Sequence, residues 1–168
     1  MKHSDKAFSI ISRSPEETRA WGELIARELE AGDIIGLSGE LGAGKTVMIQ
    51  GICRGLAVEE RVTSSSFVLM RILQGTRPVY HFDLYRLDTI DELEGLGFEE
   101  YLFSDGISLI EWSEKLGSAI GDEYLQITID FDEALESGRK IRLLARGKRF
   151  QEKLDEISRQ RPPLRAEN

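Results

Sequence analysis

The stretch GELGAGKT, residues 39–46, contains three glycines followed by a lysine and a hydroxyl residue. Its spacing, a glycine, four further residues and then Gly-Lys-Thr, is the Walker A pattern. Glycines let a backbone curl so that successive N–H groups point at phosphate oxygens at the positive end of a helix. The pattern predicts a nucleoside triphosphate site formed by Gly39, Glu40, Leu41, Gly42, Ala43, Gly44, Lys45 and Thr46.

The segments on either side supply the context that this pattern requires. DIIGLS, residues 33–38, is predicted to be a buried strand, and residues 45–54 are predicted to be a helix. In such a strand–loop–helix unit, Lys45 can reach the β- and γ-phosphates, and the Thr46 hydroxyl can ligate the Mg²⁺ that bridges them. An ordinary turn with a helix-capping threonine is the plain alternative, and the flanking elements argue against it.

The identity of the base follows only by elimination. A guanine-specific GTPase needs an Asn-Lys-x-Asp element and an Asp-x-x-Gly switch after the loop. Neither occurs after Thr46, and DIIG, residues 33–36, fits the second pattern but precedes the loop. We therefore expect ATP.

Two carboxylates stand at the ends of apolar strands. Glu111 ends ISLIE and Asp83 ends VYHFD, at the strand edge where ligands of such sheets bind. Phosphoryl transfer needs an acidic residue to hold Mg²⁺ or its waters and a group that orients the nucleophile. Both residues are candidates for these roles, and a solvated carboxylate is the plainer alternative for each.

Other polar residues have weaker claims to the site. The hydroxyls of VTSSSF, residues 62–67, can ligate Mg²⁺ or the γ-phosphate, or can belong to a polar loop. Arg86 can offset developing charge or pair with Asp83. Trp112 can stack near the site or pack in the core. We expect His81, which alternates with a phenylalanine on a strand, to be structural and not catalytic.

Composition limits the class of protein. The 168 residues are 40% hydrophobic and 31% charged, as in an ordinary globular domain. We expect one domain over residues 1–158 and a disordered, Pro-rich tail over residues 159–168. Cys53, the single cysteine, is expected to be a buried hydrophobic residue. No apolar run is long enough for a membrane span or a signal peptide, so we expect a cytoplasmic protein.

The net charge of −8 makes non-specific nucleic-acid binding unfavourable, because phosphate contacts require concentrated Lys and Arg. Protein or small-molecule partners are expected instead.

The remaining pattern predicts an α/β fold. Ser14, Pro15 and Glu17 form a helix start with a capping box, Gly32 is expected to mark the stop of that helix, and Asp88 or Thr89 is expected to cap a short helix. Further helices are predicted at residues 90–96, 98–102, 113–120 and 148–159. Strands are predicted at residues 8–13, 33–38, 66–73, 78–85, 106–112, 124–131 and 139–146.

These elements predict a P-loop NTPase-like, three-layer fold. Its mixed central sheet is expected to be parallel near the glycine-rich loop and antiparallel at the edge, with helices on both faces.

Five segments together carry a family likeness. GELGAGKT, VTSSSFVL, YHFDLYRL, ELEGLGFEEYL and GISLIEWSEKL have the order and spacing of the TsaE (YjeE) family, and the resemblance runs from about residue 14 to 116. These are small bacterial ATPases required to make threonylcarbamoyladenosine in tRNA. The combination of HFDLYR with IEW after a Walker A loop is far more specific than the loop alone.

The resemblance implies an ATPase, with ATP and Mg²⁺, that does not itself transfer the threonylcarbamoyl group. Such a protein binds the transferase complex of the TsaB and TsaD subunits and resets it between turnovers, so tRNA is contacted only indirectly. We expect slow hydrolysis by the chain alone. Carried over, Lys45 and Thr46 hold phosphate and Mg²⁺, Glu111 is the Mg²⁺ ligand, and Asp83 is a catalytic or water-positioning carboxylate.

The chain departs from the family pattern at several positions. Ser65 and Ser66 stand where the family usually has proline and threonine, which leaves that loop less rigid. Val47 stands where a second threonine is common. The residues beyond about 157 have no counterpart in the resemblance.

Two other functions are compatible with the loop and the Mg²⁺ site. A small-molecule kinase should carry an arginine-rich lid, but the arginines between the loop and Glu111 are scattered, at Arg54, Arg61, Arg71, Arg77 and Arg86. A nucleotide-gated binding module with negligible turnover would differ from the ATPase only in rate.

Overall fold

The strands lie in one seven-stranded sheet, seen in a computed structural model that describes residues 5–63 and 69–163. The strands are β1 (Lys6–Ser12), β2 (Ile34–Ser38), β3 (Met70–Gln74), β4 (Pro78–Asp83), β5 (Ile107–Glu111), β6 (Tyr124–Phe131) and β7 (Arg139–Arg146). The helices are α1 (Pro15–Ala26), α2 (Lys45–Gly55), α3 (Asp91–Glu94), α4 (Phe98–Leu102) and α5 (Lys148–Ser158), and Ser113–Ile120 forms a 3₁₀ segment.

The sheet is parallel in its centre and antiparallel at both edges. Its order is β1-β7-β6-β2-β5-β4-β3. Strand β2 pairs in parallel with β5 and β6, and β4 pairs in parallel with β5. Strands β1 and β7 on one side and β3 on the other are antiparallel to their neighbours. The predicted mixed α/β sheet is confirmed, and the carboxyl ends of β2, β4, β5 and β6 share one edge.

Helices cover both faces of the sheet, as predicted. Alternate residues of the buried strands point to opposite sides, so Ile35 and Ile34 on β2 belong to different apolar clusters. The first cluster packs the sheet against α1, α2 and α5. The second packs it against α3, α4 and the 3₁₀ segment. The burial on both faces explains why β2 and β5 are continuous apolar runs.

Helices α1 and α2 approach each other through glycine. A Cβ atom at Gly51 would collide with the backbone carbonyl of Arg19, and one at Gly22 would lie 2.6 Å from the carbonyl oxygen of Met48. Two helix backbones can come this close only where side chains are absent. The contact fixes α2, and therefore the glycine-rich loop at its start.

A charged cluster ties α5 to the start of β2, at the sheet edge opposite the loop. The Asp33 side chain is fully buried, and its two oxygens lie 2.7 Å from Arg149 Nη2 and 3.2 Å from Lys153 Nζ. The contact with Arg149 is an ion pair without hydrogen-bond alignment. Burial raises the pKa of Asp33 despite these cations and a hydrogen bond from the Glu30 backbone.

Some local predictions were wrong in their details. Helix α1 starts at Pro15 with Ser14 as its cap, but Glu17 accepts from the N–H of Arg13 at 2.7 Å and not from that of the cap residue. The same helix ends at Ala26, six residues before Gly32, because the chain turns through residues 27 and 28 before β2.

Two further predictions need correction. Ile90 occupies the N-cap position of α3, without a side-chain cap, so neither Asp88 nor Thr89 plays that role. Residues 113–120 form a 3₁₀ segment in place of a regular helix, with a break at Gly117, whose φ is 52°.

The remaining expectations concern the chain as a whole. Cys53 is buried, as expected, and burial raises the pKa of its thiol to about 12. Helix α5 ends at Ser158, while residues 164–168 lie outside the described part, so the single domain and the disordered tail stay predictions. None of the described helices has both the length and the apolar character needed to cross a bilayer.

Candidate nucleotide site

The loop between β2 and α2 has a backbone that only glycine adopts readily. Gly39, Gly42 and Gly44 have φ values of 151°, 81° and 115°. A Cβ at Gly39 would also collide with the carbonyl of Ile129 on β6. Gly44 is the N-cap of α2 and provides no side-chain cap. The first N–H groups of a helix have no intrahelical partner, so the loop and the helix start present donors to an anion.

Lys45, the first residue of α2, is a buried cation whose side chain turns back to this loop. It is 5% exposed, and its Nζ donates to the carbonyls of Gly39 at 2.6 Å and Glu40 at 2.9 Å. The Nζ also lies 4.1 Å from the ring centroid of Trp112, within range of a cation–π contact. The ammonium group therefore binds to backbone carbonyls of the loop and contacts one aromatic ring.

Burial lowers the pKa of Lys45, and the neighbouring carboxylates of Glu111, Glu114 and Asp83 act in the opposite direction. A desolvated ammonium group is stabilised by an anion. The phosphates of a nucleotide would supply that charge.

Glu111 is held by one partner on each carboxylate oxygen. The Thr46 hydroxyl donates to Oε1 at 2.8 Å, and His81 Nε2 lies 2.8 Å from Oε2. Glu111 and His81 are 3% and 4% exposed, so the contact between them is buried. An ionised carboxylate can only accept, which places a proton on His81 Nε2 in this pair.

Asp83 lies beside Glu111, since the two residues are register partners on the parallel strands β4 and β5. It is 8% exposed, and its Oδ1 accepts from the backbone N–H of Tyr85 at 3.1 Å. Two strand ends thus bring two carboxylates to one place. His81, two residues earlier on β4, points to the same face of the sheet.

These oxygens fit a magnesium ion that is shared with a nucleotide. In the described ranges, no group of three or more His, Cys, Asp or Glu side chains could hold a metal. Mg²⁺ is usually bound by one or two carboxylates together with substrate phosphates and waters. The adjoining hydroxyl of Thr46 and carboxylate of Glu111 match that donor set.

Trp112 turns the chain sharply after β5. Its φ is 61°, an uncommon conformation for a residue other than glycine. Its ring lies 5.2 Å from that of Tyr85, and Lys115 Nζ donates to the carbonyls of Tyr85 and Leu87. Arg86 is exposed in the turn that follows β4. Trp112 therefore packs against Lys45 of the site and also against the second apolar cluster, so it meets both alternatives that the sequence left open.

The other side of the loop contacts the start of β7. Arg139 Nε donates to the carbonyl of Ala43 at 2.7 Å, and its guanidinium lies 4.5 Å from the ring centroid of Phe131. Sequence reasoning missed both residues, because Arg139 reaches the loop from β7 and Phe131 is its register partner on β6.

Sequence reasoning also missed the contact of His81 with Glu111. A signal was available, because His81 and Asp83 are two apart on a strand and must share a face. The hydroxyls predicted at Ser64, Ser65 and Ser66 lie outside the described residues. Of that segment, Val62 and Thr63 are described. Thr63 is exposed, and the Val62 carbonyl accepts from Gln50 Nε2 at 3.0 Å.

Comparisons of this chain with a family model and with known proteins agree on one family. The family model described as "Threonylcarbamoyl adenosine biosynthesis protein TsaE" matches residues 12–141. A protein of that name from Treponema pallidum is 35% identical over 131 residues, covering 78% of this chain and 96% of the relative. One from Bacillus subtilis is 37% identical over 147 residues, covering 87% and 90%.

A solved structure agrees with the sequence matches. The crystal structure of Bacillus subtilis YdiB superposes with a TM-score of 0.79 at 31% identity, covering 94% of this chain and 98% of that one. Neither the family model nor the relatives support the kinase alternative. Because the family model spans most of the chain and these relatives are covered almost completely, the chain belongs to the TsaE family.

Proposed function

We propose that this protein is a Mg²⁺-dependent ATPase that serves the synthesis of threonylcarbamoyladenosine in tRNA. Its relatives from Treponema pallidum and Bacillus subtilis are named for that pathway. The observation that carries the ATPase proposal is the 2.8 Å hydrogen bond from Thr46 to Glu111. It joins the first turn of α2, where phosphates bind, to the carboxyl end of β5.

Each residue of the site has a role in this proposal. Lys45 leaves the carbonyls of its own loop and pairs with the β- and γ-phosphates. Thr46 and Glu111 would hold Mg²⁺, which supplies charge neutralisation on the phosphate oxygens. Asp83 orients the attacking water and accepts its proton. His81 fixes the carboxylate of Glu111.

The partner in this proposal is the transferase complex of the TsaB and TsaD subunits, which the nucleotide cycle resets between turnovers. The net charge of −8 favours a protein partner over direct contact with tRNA, because a phosphate backbone repels an acidic surface. A cytoplasmic location is part of this proposal, and a role in tRNA modification supports it. A small domain encloses the phosphates poorly by itself, so hydrolysis is slow until a partner completes the site.

The test uses Lys45→Ala. Removal of the ammonium group should abolish hydrolysis and weaken ATP binding at least tenfold, because a charge-assisted contact with the phosphates is lost. Phosphate release and calorimetric titration with ATP measure the two effects. Circular dichroism should be unchanged, because the contacts that are lost join the side chain to loop carbonyls and to Trp112 and not to the sheet. Unchanged ATP affinity in the folded variant would mean that this loop is not the nucleotide site.

A further inference from the structure

A polar network lies between the strand that enters the glycine-rich loop and the turn that follows β5. Ser113, the residue after Trp112, is 3% exposed. Its hydroxyl shares one proton between the Leu37 carbonyl, at 3.4 Å, and Gln126 Oε1, at 3.2 Å. Gln126 Nε2 donates to Ser38 Oγ at 2.6 Å, and Ser38 is the last residue of β2. The network therefore connects the start of the loop with the turn at Trp112.

Space for this network is left by a glycine on β2. A Cβ at Gly36 would lie 2.7 Å from Ser113 Oγ and 2.8 Å from Gln126 Oε1. Gly36 is not one of the glycines with a positive φ, so its backbone conformation does not require glycine. The contact between the two polar side chains explains why a larger residue does not fit at this position.

Gln126 is held at both ends of its amide group, since Oε1 accepts from Ser113 and Nε2 donates to Ser38. An amide with a partner on each end has one preferred orientation. An apolar side chain of similar length would remove both bonds and leave the Ser113 hydroxyl with only the longer contact to Leu37. We therefore expect Gln126 to determine how firmly Ser113 is held against β2.

The backbone at Trp112 depends on the residues that hold it. Its φ is 61°, and a residue other than glycine keeps such a conformation only where the surrounding structure stabilises it. Ser113 provides a contact of this kind directly after Trp112. The indole ring lies 4.1 Å from Lys45 Nζ, so a change of the backbone at Trp112 would move the ring relative to the ammonium group.

We propose that Gln126 is a positioning residue of the nucleotide site, which fixes the Trp112 ring against Lys45 through Ser113. This inference rests on the proposed nucleotide site and extends it to β6. The ring and two loop carbonyls hold the ammonium group beside the loop that binds the phosphates. Loss of the network should therefore weaken phosphate binding and leave the sheet intact.

Tryptophan fluorescence measures the first step without a nucleotide. The chain has two tryptophans, and in a Trp21→Phe background the emission comes from Trp112 alone. Gln126→Met, which has a similar length but no amide, should increase the acrylamide quenching of Trp112 and shift its emission to longer wavelength. Gln126→Glu keeps an acceptor for Ser113 and should leave the quenching unchanged. Tyr124→Phe is the matched control, because Tyr124 is half-buried on the same face of β6, two residues away.

Calorimetry on the full chain with Mg²⁺ measures the second step. Gln126→Met should weaken the binding of ATP and of inorganic tripolyphosphate by the same factor, about 2- to 30-fold, as for residues that act through a neighbour. Ser113→Ala removes the other end of the same hydrogen bond and should have a similar effect. The double variant should lose less than the two single losses combined. Tyr124→Phe should bind both ligands as the unmodified chain does.

The outcomes distinguish this inference from the proposal on which it rests. If the unmodified chain binds neither ATP nor tripolyphosphate, both fail. If it binds both, and Gln126→Met changes neither the quenching of Trp112 nor the affinities, only the positioning role is wrong. Weaker ATP binding with unchanged quenching would also overturn that role, because Gln126 would then act through Ser38 and the loop and not through Trp112.

Discussion

Glu111 has its two carboxylate oxygens engaged by Thr46 and His81, so the group is fixed before a ligand arrives. Asp83, its neighbour on β4, accepts from the backbone N–H of Tyr85. We expect Glu111 to be the ligand of the metal and Asp83 to orient the attacking water.

Substitution of each carboxylate should separate these roles. Glu111→Ala should raise the Mg²⁺ concentration needed for ATP binding, because a direct ligand is lost. Asp83→Ala should mainly lower the turnover of bound ATP, by about 10²-fold or more for loss of a general base. Mg²⁺ titrations of binding and of hydrolysis compare the two. A raised Mg²⁺ requirement in Asp83→Ala alone would mean that the roles are reversed.

His81 should act on the metal through Glu111. His81→Phe keeps a ring in the buried space but leaves Oε2 of Glu111 without its partner, so the Mg²⁺ requirement should rise severalfold, in the manner of outer-shell substitutions. His81→Gln retains an N–H donor and should restore part of the effect. Tyr80→Phe, on the opposite face of β4, is the control. Equal Mg²⁺ titrations in His81→Phe and the unmodified chain would contradict this role.

At the scale of residues, the sequence predicts those features that depend on spacing along the chain. The loop from Gly39 to Thr46 is recognisable because its glycines, lysine and threonine are consecutive. His81 and Arg139 contact residues on other strands. The register between two strands cannot be predicted from the sequence of either strand alone. Their residue types gave no indication of which carbonyl or carboxylate they would contact.

At the scale of elements, the packing of α1 on α2 can be tested at Gly51. Gly51→Ala places a methyl group against the carbonyl of Arg19, and overpacking of this kind should lower the free energy of unfolding by about 1–3 kcal/mol. Gly95→Ala is the control, because the nearest atom to its Cβ lies 3.8 Å away and its φ is −64°. Urea denaturation measures both. Equal stabilities for the two variants would contradict the close approach.

The charged cluster at the opposite edge predicts a pH effect. Because burial raises the pKa of Asp33 above its ordinary value of 3.8, the folded state binds this proton more tightly than the unfolded state does. The stability it contributes is complete below pH 3.8 and is lost as pH rises through the folded-state pKa. The amide side chain of Asp33→Asn does not bind or release a proton in this pH range.

Urea denaturation at a series of pH values compares the two chains. The free energy of unfolding of the unmodified chain, minus that of Asp33→Asn, should fall between pH 3.8 and the folded-state pKa of Asp33. Above that pKa the difference should stay level. A difference that increases with pH would mean that the pairs with Arg149 and Lys153 outweigh burial.

Among the elements, the strands were more predictable than the helix ends. β6 and β7 matched their alternating patterns, and β2 and β5 contained their apolar runs, because buried strands need continuous or alternating apolar side chains. The end of α1 was wrong because the chain already turns at residues 27 and 28, and Gly32 belongs to a second turn before β2. The 3₁₀ segment has the composition of a helix, and the positive φ at Gly117 breaks it.

For the whole molecule, the proposed function predicts coupling between nucleotide and partner. The ATPase is proposed to reset the transferase complex between turnovers, so its ATP and ADP states must differ in their affinity for that complex. The affinity for the TsaB–TsaD complex should therefore be higher with a non-hydrolysable ATP analogue than with ADP, by about 5- to 150-fold for an ordinary coupling energy.

Surface-immobilised transferase and the full chain provide the measurement, with Lys45→Ala as the control that should respond to neither nucleotide. Equal affinities with the two nucleotides would mean that hydrolysis does not change the binding of the transferase complex. The rate of ATP hydrolysis should also change when the transferase is added, and a constant rate would contradict completion of the site by the partner.

The resting position of Lys45 has a consequence for the timing of the cycle. Its ammonium group already contacts two carbonyl acceptors and an aromatic ring. The charge of Lys45 therefore keeps these partners after a nucleotide has dissociated. An arriving nucleotide must compete with those same partners, which limits how tightly it can be held. We expect ADP to dissociate quickly, which stopped-flow displacement can time. Such a chain is suited to repeated exchange and not to storage of a bound nucleotide.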